Sequence, residues 1–279
     1  MLAHLLERLL GRDLLWRIAR RLYHHARREG SLDIAVNGEA MLQAMLARRS
    51  ASEGQPLTVV DVGANYGQWS LSLLDAVARA QAPRPTLLLF EPVPAIREAL
   101  AAKLVDADAA WSIEPVALSD APGSGTMLVQ DVAAGTHHLA AADFSYGGVE
   151  LPVVIDTLDR VWKGGPIDIV KIDAEGFDPK VIAGMEGLLA RGEVGVVQFE
   201  YGVLFVRSRS YLLDVFKLAQ RTGYVFGILH GRGIETLAAW HEDLERFTPA
   251  TMLLLHQRMA DALGAVPVRY TASNTRVAV

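Results

Sequence analysis

Cysteine is missing from all 279 residues. Disulfides, thiolate metal sites and cysteine nucleophiles are thereby excluded, and a reducing compartment suits the chain. Long apolar runs are missing too: none reaches the roughly 18 residues of a transmembrane helix. Neither phosphate-binding loop occurs, for there is no G-x-x-x-x-G-K-[ST] and no G-x-G-x-x-G. Excess positive charge is also absent. The net charge of −5 and isoelectric point of about 5.9 argue against nucleic acid as the main partner. What is present is apolar material: 51% of residues are hydrophobic and mean hydropathy is +0.21, enough for one large α/β domain or two small ones.

The charge is uneven. Residues 1–29 hold seven Arg and three acids, a net of +4, which leaves −9 on the other 250. In this segment Leu2, Leu5, Leu6, Leu9 and Leu10 recur at helical spacing, and Ile18 and Leu22 continue the pattern. Charges interrupt every apolar run, so it makes a poor signal peptide. Two readings stand open. The helix packs on the domain or on a second subunit, giving a homo-oligomer, or it lies as a basic amphipathic helix on an anionic membrane. The expected location is cytoplasmic, with the inner membrane face open to residues 1–29.

From residue 57 onward strand and helix patterns alternate. Strands are expected at 57–62, 86–90, 111–118, 125–129, 151–155, 167–172, 194–199, 224–229 and 251–256. Helices are expected at 68–82, 94–104, 179–190 and 211–221, with one or two helical turns at 156–161. Beyond residue 257 the pattern is weak. Such alternation implies a doubly wound, mostly parallel sheet with right-handed crossovers. The expected division is a helical extension over 1–50 and a catalytic domain over 51–279.

In such sheets ligands sit at the carboxyl ends of the strands. After the first strand stands D-V-G-A-N-Y-G, with Asp61 at the turn and Gly63 and Gly67 allowing close approach. A carboxylate there would repel pyrophosphate but suits an ammonium or a sulfonium. After the second strand Glu91 can accept both hydroxyls of a ribose. An adenosine that carries a positive group and no phosphate satisfies both acids, and S-adenosylmethionine is that molecule.

These stretches, VVDVGANYGQWS, FEP, VALSD, DTLD, DIVKIDAEGFDPKVIAGM and QFEYG, together resemble the FkbM family of S-adenosylmethionine-dependent methyltransferases, in that family's order. The similarity covers about 57–202, roughly half of the chain. It implies a Rossmann-like class I methyltransferase fold, with a seven-stranded sheet whose last strand is antiparallel. It also implies O-methylation of a sugar, glycan or polyketide-like hydroxyl. Carried onto this chain, Asp61, Gly63, Asn65 and Gly67 line the methionine and ribose part of the cofactor, and Glu91 binds the ribose. Ala117 and Asp120 follow the third strand, where adenine is met. Asp120 either accepts from the adenine amino group or serves its S-D-A-P-G turn.

Lys171 and Asp173 are two apart and so share one strand face. Asp173 then falls beside the transferred methyl, and Lys171 pairs with Asp173 or with Glu175. Candidate bases are Asp173, His137 and His138, the histidines being expected in a long loop that folds over the acceptor. T-H-H departs from the small hydroxylic residues usual for the family at this place. Asp173, Glu175, Glu200 and the histidines offer metal ligands, but without a fixed spacing, so no metal is assigned. Two other functions compete: a nicotinamide-dependent oxidoreductase, which would need the missing G-x-G-x-x-G turn, and a non-catalytic docking domain, which would show eroded cofactor motifs.

Overall fold

The computed structural model describes residues 2–28, 33–131, 136–139 and 148–279. It opens with helices α1 (Leu2–Leu10), α2 (Arg12–Arg27), α3 (Ile34–Asn37) and α4 (Glu39–Glu53). Alternation then begins with β1 (Thr58–Val62), α5 (Gln68–Ala80), β2 (Thr86–Phe90), α6 (Pro94–Leu104) and β3 (Ala110–Glu114). Next come β4 (Val116–Leu118), β5 (Gly123–Asp131), β6 (Thr136–Leu139), β7 (Val149–Asp156) and α7 (Leu158–Val161). The second half holds β8 (Ile167–Ile172), α8 (Asp178–Ala183), α9 (Glu186–Ala190), β9 (Val194–Tyr201), α10 (Leu212–Thr222) and β10 (Val225–His230). It ends with β11 (Gly233–Leu237), β12 (Ala250–Leu255), α11 (Gln257–Ala262), β13 (Val266–Tyr270) and β14 (Arg276–Ala278).

The main sheet has, among the described residues, ten strands in the order β14-β13-β11-β10-β12-β9-β8-β1-β2-β3. From β3 to β9 all neighbours run parallel, and β12 enters antiparallel between β9 and β10. These seven strands are the expected sheet with its antiparallel last member; β11, β13 and β14 extend it. Buried β-branched runs explain the centre. Val59, Ile169 and Val196 point to one face, packed with Leu42, Leu46 and Leu73, while Val60, Val170 and Val197 point to the other. Through Leu42, Leu46 and Ala47, α4 shares the first of these cores. Pro94 opens α6 where a missing N–H costs nothing. At the start of α10, Asp214 accepts from the Tyr211 N–H at 3.1 Å.

Two expected elements are broken. The strand over 111–118 splits at Pro115, which has no N–H for a ladder. β3 stays in the main sheet, and β4 leaves to pair with β7 in a second sheet of order β4-β7-β5-β6. The helix over 179–190 splits at Gly184. A Cβ there would lie 2.0 Å from the Ser119 carbonyl oxygen, so only glycine allows the approach. The second sheet packs Ala117, Met127, Leu139 and Val153 against Val93 and Ile96 at the start of α6. That places it beside the loops after β1 and β2.

Candidate active site at the carboxyl edge of the sheet

Two adjoining features occupy the carboxyl edge. The first is a cavity of about 580 Å³, open mouth included, within the usual small-molecule range of roughly 300–1,000 Å³. Gly63, Asn65, Glu91, Ala117, Asp173 and Glu175 all line it, so six of the residues singled out in the sequence meet in one place. Phe90, Val116, Leu118, Met127 and Leu139 supply an apolar wall that sequence reasoning missed. Gly63 is fixed by geometry: its φ is +71°, and a Cβ would stand 2.1 Å from the Asp173 carbonyl oxygen.

Glu91 is buried in this cavity. Backbone N–H groups grip both of its oxygens, Asn65 at 3.0 Å and Val93 at 2.9 Å. Asn65 reaches that position in the left-handed region, with φ +50°. Burial pushes the Glu91 carboxyl up to about 7, against the pull of those two N–H groups.

The second feature is a row of polar side chains that crosses three strands. Asp61, Lys171 and Gln198 are direct neighbours in register on β1, β8 and β9. Ser70 of α5 donates to Asp61 Oδ2 at 2.6 Å. Asp61 Oδ1 is buried without a hydrogen-bond partner among the described residues, 3.9 Å from Lys171 Nζ. Lys171 donates to Asp173 at 3.2 Å. Gln198 donates to Glu39, the first residue of α4, at 2.7 Å, and Asn37 donates to the other Glu39 oxygen at 2.5 Å. Burial works to lower the Lys171 pKa, yet the carboxylates of Asp173, Asp61, Glu39 and Glu200 together hold it above its ordinary value. Lys171 is thus a fixed ammonium, and the cation beside Asp61 is one the chain itself provides.

Further acids stand next to this row. Burial, then repulsion from Asp173, raises Glu175 to about 7, with Arg207 at 3.7 Å opposing. Burial and Asp173 likewise raise Glu200 to about 7, against Lys171. Asp178 is fully enclosed and raised well above its usual range for the same reasons. Glu175 holds its place at φ +51°, an uncommon conformation for a side-chain-bearing residue and one found at functional turns. Glu39, Ser70 and Gln198 had no assigned part in the sequence reading. Their signal is faint: like Lys171, Gln198 interrupts an apolar strand close to its carboxyl end.

Other expected residues stand apart. Asp61 and Gly67 are outside the cavity lining; a Cβ on Gly67 would meet Leu100 of α6. Asp120 also lies outside the lining and pairs with Lys180 at 2.8 Å. Lys171 takes Asp173 as its partner, while Glu175 takes Arg207. His137 and His138 were expected in a loop. They stand instead in β6, opposite Val129 and Leu128 of β5, and their side chains lie outside the described residues. Antiparallel pairing with β5 draws this segment into a strand, and of its residues Thr136 is the β-branched one that favours it. Among the described residues no group of three or more His, Asp or Glu is arranged to hold a metal ion.

A sheet of this order, with a glycine turn after its first strand and a buried acid after its second, defines the class I methyltransferase fold. The profile of the methyltransferase FkbM domain matches residues 61–226, and the chain belongs to that family. Solved structures are similar at low identity. Methyltransferase FkbM from Methylobacillus flagellatus KT is 16% identical with a TM-score of 0.46, over 71% of this chain and 43% of that one. Precorrin-6y C5,15-methyltransferase from Geobacter metallireducens GS-15 is 11% identical with a TM-score of 0.37, over 76% and 86%. The O-methyltransferase TomG from Streptomyces achromogenes, in complex with S-adenosylmethionine, is 15% identical with a TM-score of 0.38, over 77% and 79%. The chain spans less than half the length of the Methylobacillus protein. No curated protein matches it.

Proposed function

We propose that the protein uses S-adenosylmethionine to methylate a hydroxyl group of a small molecule or glycan. The observation that carries this reading is the cavity at the ends of β1 and β2, with one buried, doubly gripped acid and an apolar wall. The residues present fit a nucleoside that bears no phosphate. Glu91 would take the ribose hydroxyls, since a carboxylate held in place by N–H groups is preorganised to accept. Val116, Leu118, Met127 and Leu139 would flank the adenine. Gly63 and Asn65 would follow the methionine portion. When bound, S-adenosylmethionine supplies a methyl group made reactive by its positive sulfur.

The chain's own part in the reaction is to orient the acceptor and take its proton. Asp173, steered by the Lys171 ammonium, would receive the hydrogen bond of the acceptor hydroxyl. Glu175 lines the same cavity, and a carboxyl at about 7 is matched to proton removal near neutral pH. The surplus of acids favours oxygen over nitrogen as acceptor. An amine placed among them would be held as an ammonium and lose its nucleophilic lone pair, whereas a hydroxyl gains from a nearby base. Sugar hydroxyls also suit walls of carboxylates, which accept their hydrogen bonds.

Calorimetric titration with S-adenosylhomocysteine, with NADH in parallel, tests the cofactor. The expected outcome is binding of the first alone, with Kd on the order of micromolar. Binding of NADH, or of neither ligand by a folded sample, would remove the proposal. Incubation with S-adenosylmethionine and a panel of hydroxylated acceptors, read as the mass gain of one methyl, then identifies the acceptor.

A further inference from the structure

We infer that α1 and α2 form a docking surface for an anionic lipid bilayer. An amphipathic helix on a globular protein ordinarily turns its apolar stripe to the core. Here the order is inverted. α2 has no buried residue; Leu15 is half-buried, and five of its apolar or aromatic side chains are exposed: Leu14, Ile18 and Leu22 at four-residue spacing, with Trp16 and Tyr23 seven apart along the other border. Trp16 and Leu22 are both 64% exposed, and Leu9 of α1 is 72% exposed. Arg27 turns inward instead, where it pairs with Asp243 and its carbonyl accepts from Arg276 at 2.9 Å. Arg28 reaches Glu235 at 3.1 Å. The helix is thus tied by its last residues and presents a stripe that nothing among the described residues covers.

Charge decides what covers it. Residues 1–28 carry seven Arg, no Lys and only two acids, Glu7 and Asp13. Joining two copies through this surface would bring the arginines of both into one apolar seam with few acids to meet them. A bilayer surface bearing phosphate diesters neutralises them, and guanidinium groups bind phosphate in pairs of hydrogen bonds. Trp16 and Tyr23, each with an apolar body and a polar tip, suit the depth of the headgroups. Among the described residues no helix is long and apolar enough to cross a membrane, so the contact lies in the interface plane. The surface also sits at the working edge of the sheet. His24, His25 and Arg28 line a cavity with His230, Ala250 and Thr251, and Thr251 is the register partner of Glu200. A docked bilayer would therefore lie on the acceptor side of the site.

The test is co-sedimentation of the full chain with vesicles of phosphatidylcholine, alone or with phosphatidylglycerol. The comparison variant is W16E/L22E, which alters two exposed positions and should leave the thermal midpoint and cofactor-product binding unchanged. The expected result is pelleting with phosphatidylglycerol vesicles, weakened by salt and reduced at least about tenfold by the variant. Equal recovery with both vesicle types, or undiminished pelleting of the variant, would overturn the inference. So would a dimer mass by light scattering that the variant converts to monomer, which would assign the surface to a second copy.

Discussion

On the β1–β2 side of the carboxyl edge Glu91 stands against the apolar wall of the cavity; on the β8–β9 side acids crowd around one ammonium. Glu91 keeps company with Phe90, Leu118 and Met127, and its neighbours in hydrogen bonding are backbone N–H groups. Lys171 keeps company with Asp61, Asp173, Glu39 and Glu200. The first arrangement fixes one acceptor in space and surrounds it with shape, which is how a site gains affinity. The second buries its carboxyls and then sets charges against each other, which moves Glu175 and Glu200 to about 7 and is how a site gains acid–base reactivity. Damage to the first half should therefore appear in binding, and damage to the second in turnover.

Asp173→Asn probes that division most severely. It keeps the shape of the side chain and removes the charge that Lys171 steers. Turnover should fall about 10²–10⁴-fold, the usual worth of a positioned proton-handling group. Affinity for S-adenosylhomocysteine should stay within about twofold. Methyl transfer from labelled cofactor and calorimetry on the same preparation check both numbers. A parallel collapse of affinity would mean that the two halves work as one. Glu91→Ala is the converse. It should weaken S-adenosylhomocysteine about ten- to a hundredfold, since charged hydrogen bonds to the ribose contribute roughly 1.5–3 kcal/mol. At saturating cofactor, turnover should recover most of its value. Unchanged affinity in a folded variant would place the ribose elsewhere.

The same division governs what the sequence reveals. Gly63 and Glu91 follow directly on β1 and β2, Asn65 stands two residues after Gly63, and Ala117 lies in the short β4, so short contiguous stretches carry most of the cofactor half. The polar row on the other side depends on strand register, which no single segment encodes. Asp61, Lys171 and Gln198 become neighbours only once β1, β8 and β9 align. Glu39 comes from a segment that reads as a bare helical extension, yet its carboxylate reaches Gln198 over 159 positions of chain. Pro115 was visible as a breaker, but apolar residues on both sides hid the change of sheet. Strands such as β11 and β13 are short, and β13 contains Pro267; their pairing with β10 and with each other supplies what their pattern does not.

The mildest probe is pH, and its sign follows from Glu91 alone. Without ligand the carboxyl sits at about 7 because burial disfavours its charge. Hydroxyl donors from a ribose favour the ionised form, so binding should expel a proton. Affinity for S-adenosylhomocysteine should therefore rise about tenfold from about pH 6 to about pH 8 and then level off. Stability moves the other way. Between the unfolded value of 4.5 and about 7 the native state binds more protons than the unfolded chain. The contribution of Glu91 to folding is thus present below 4.5 and lost as pH climbs through about 7. Bound ligand should consequently raise the thermal midpoint more at the higher pH than at the lower. Glu91→Gln should bind more weakly and with little dependence on pH. If the slope survived in that variant, the titrating group would be Glu175 or Glu200, and the acid-rich half would reach into cofactor binding after all.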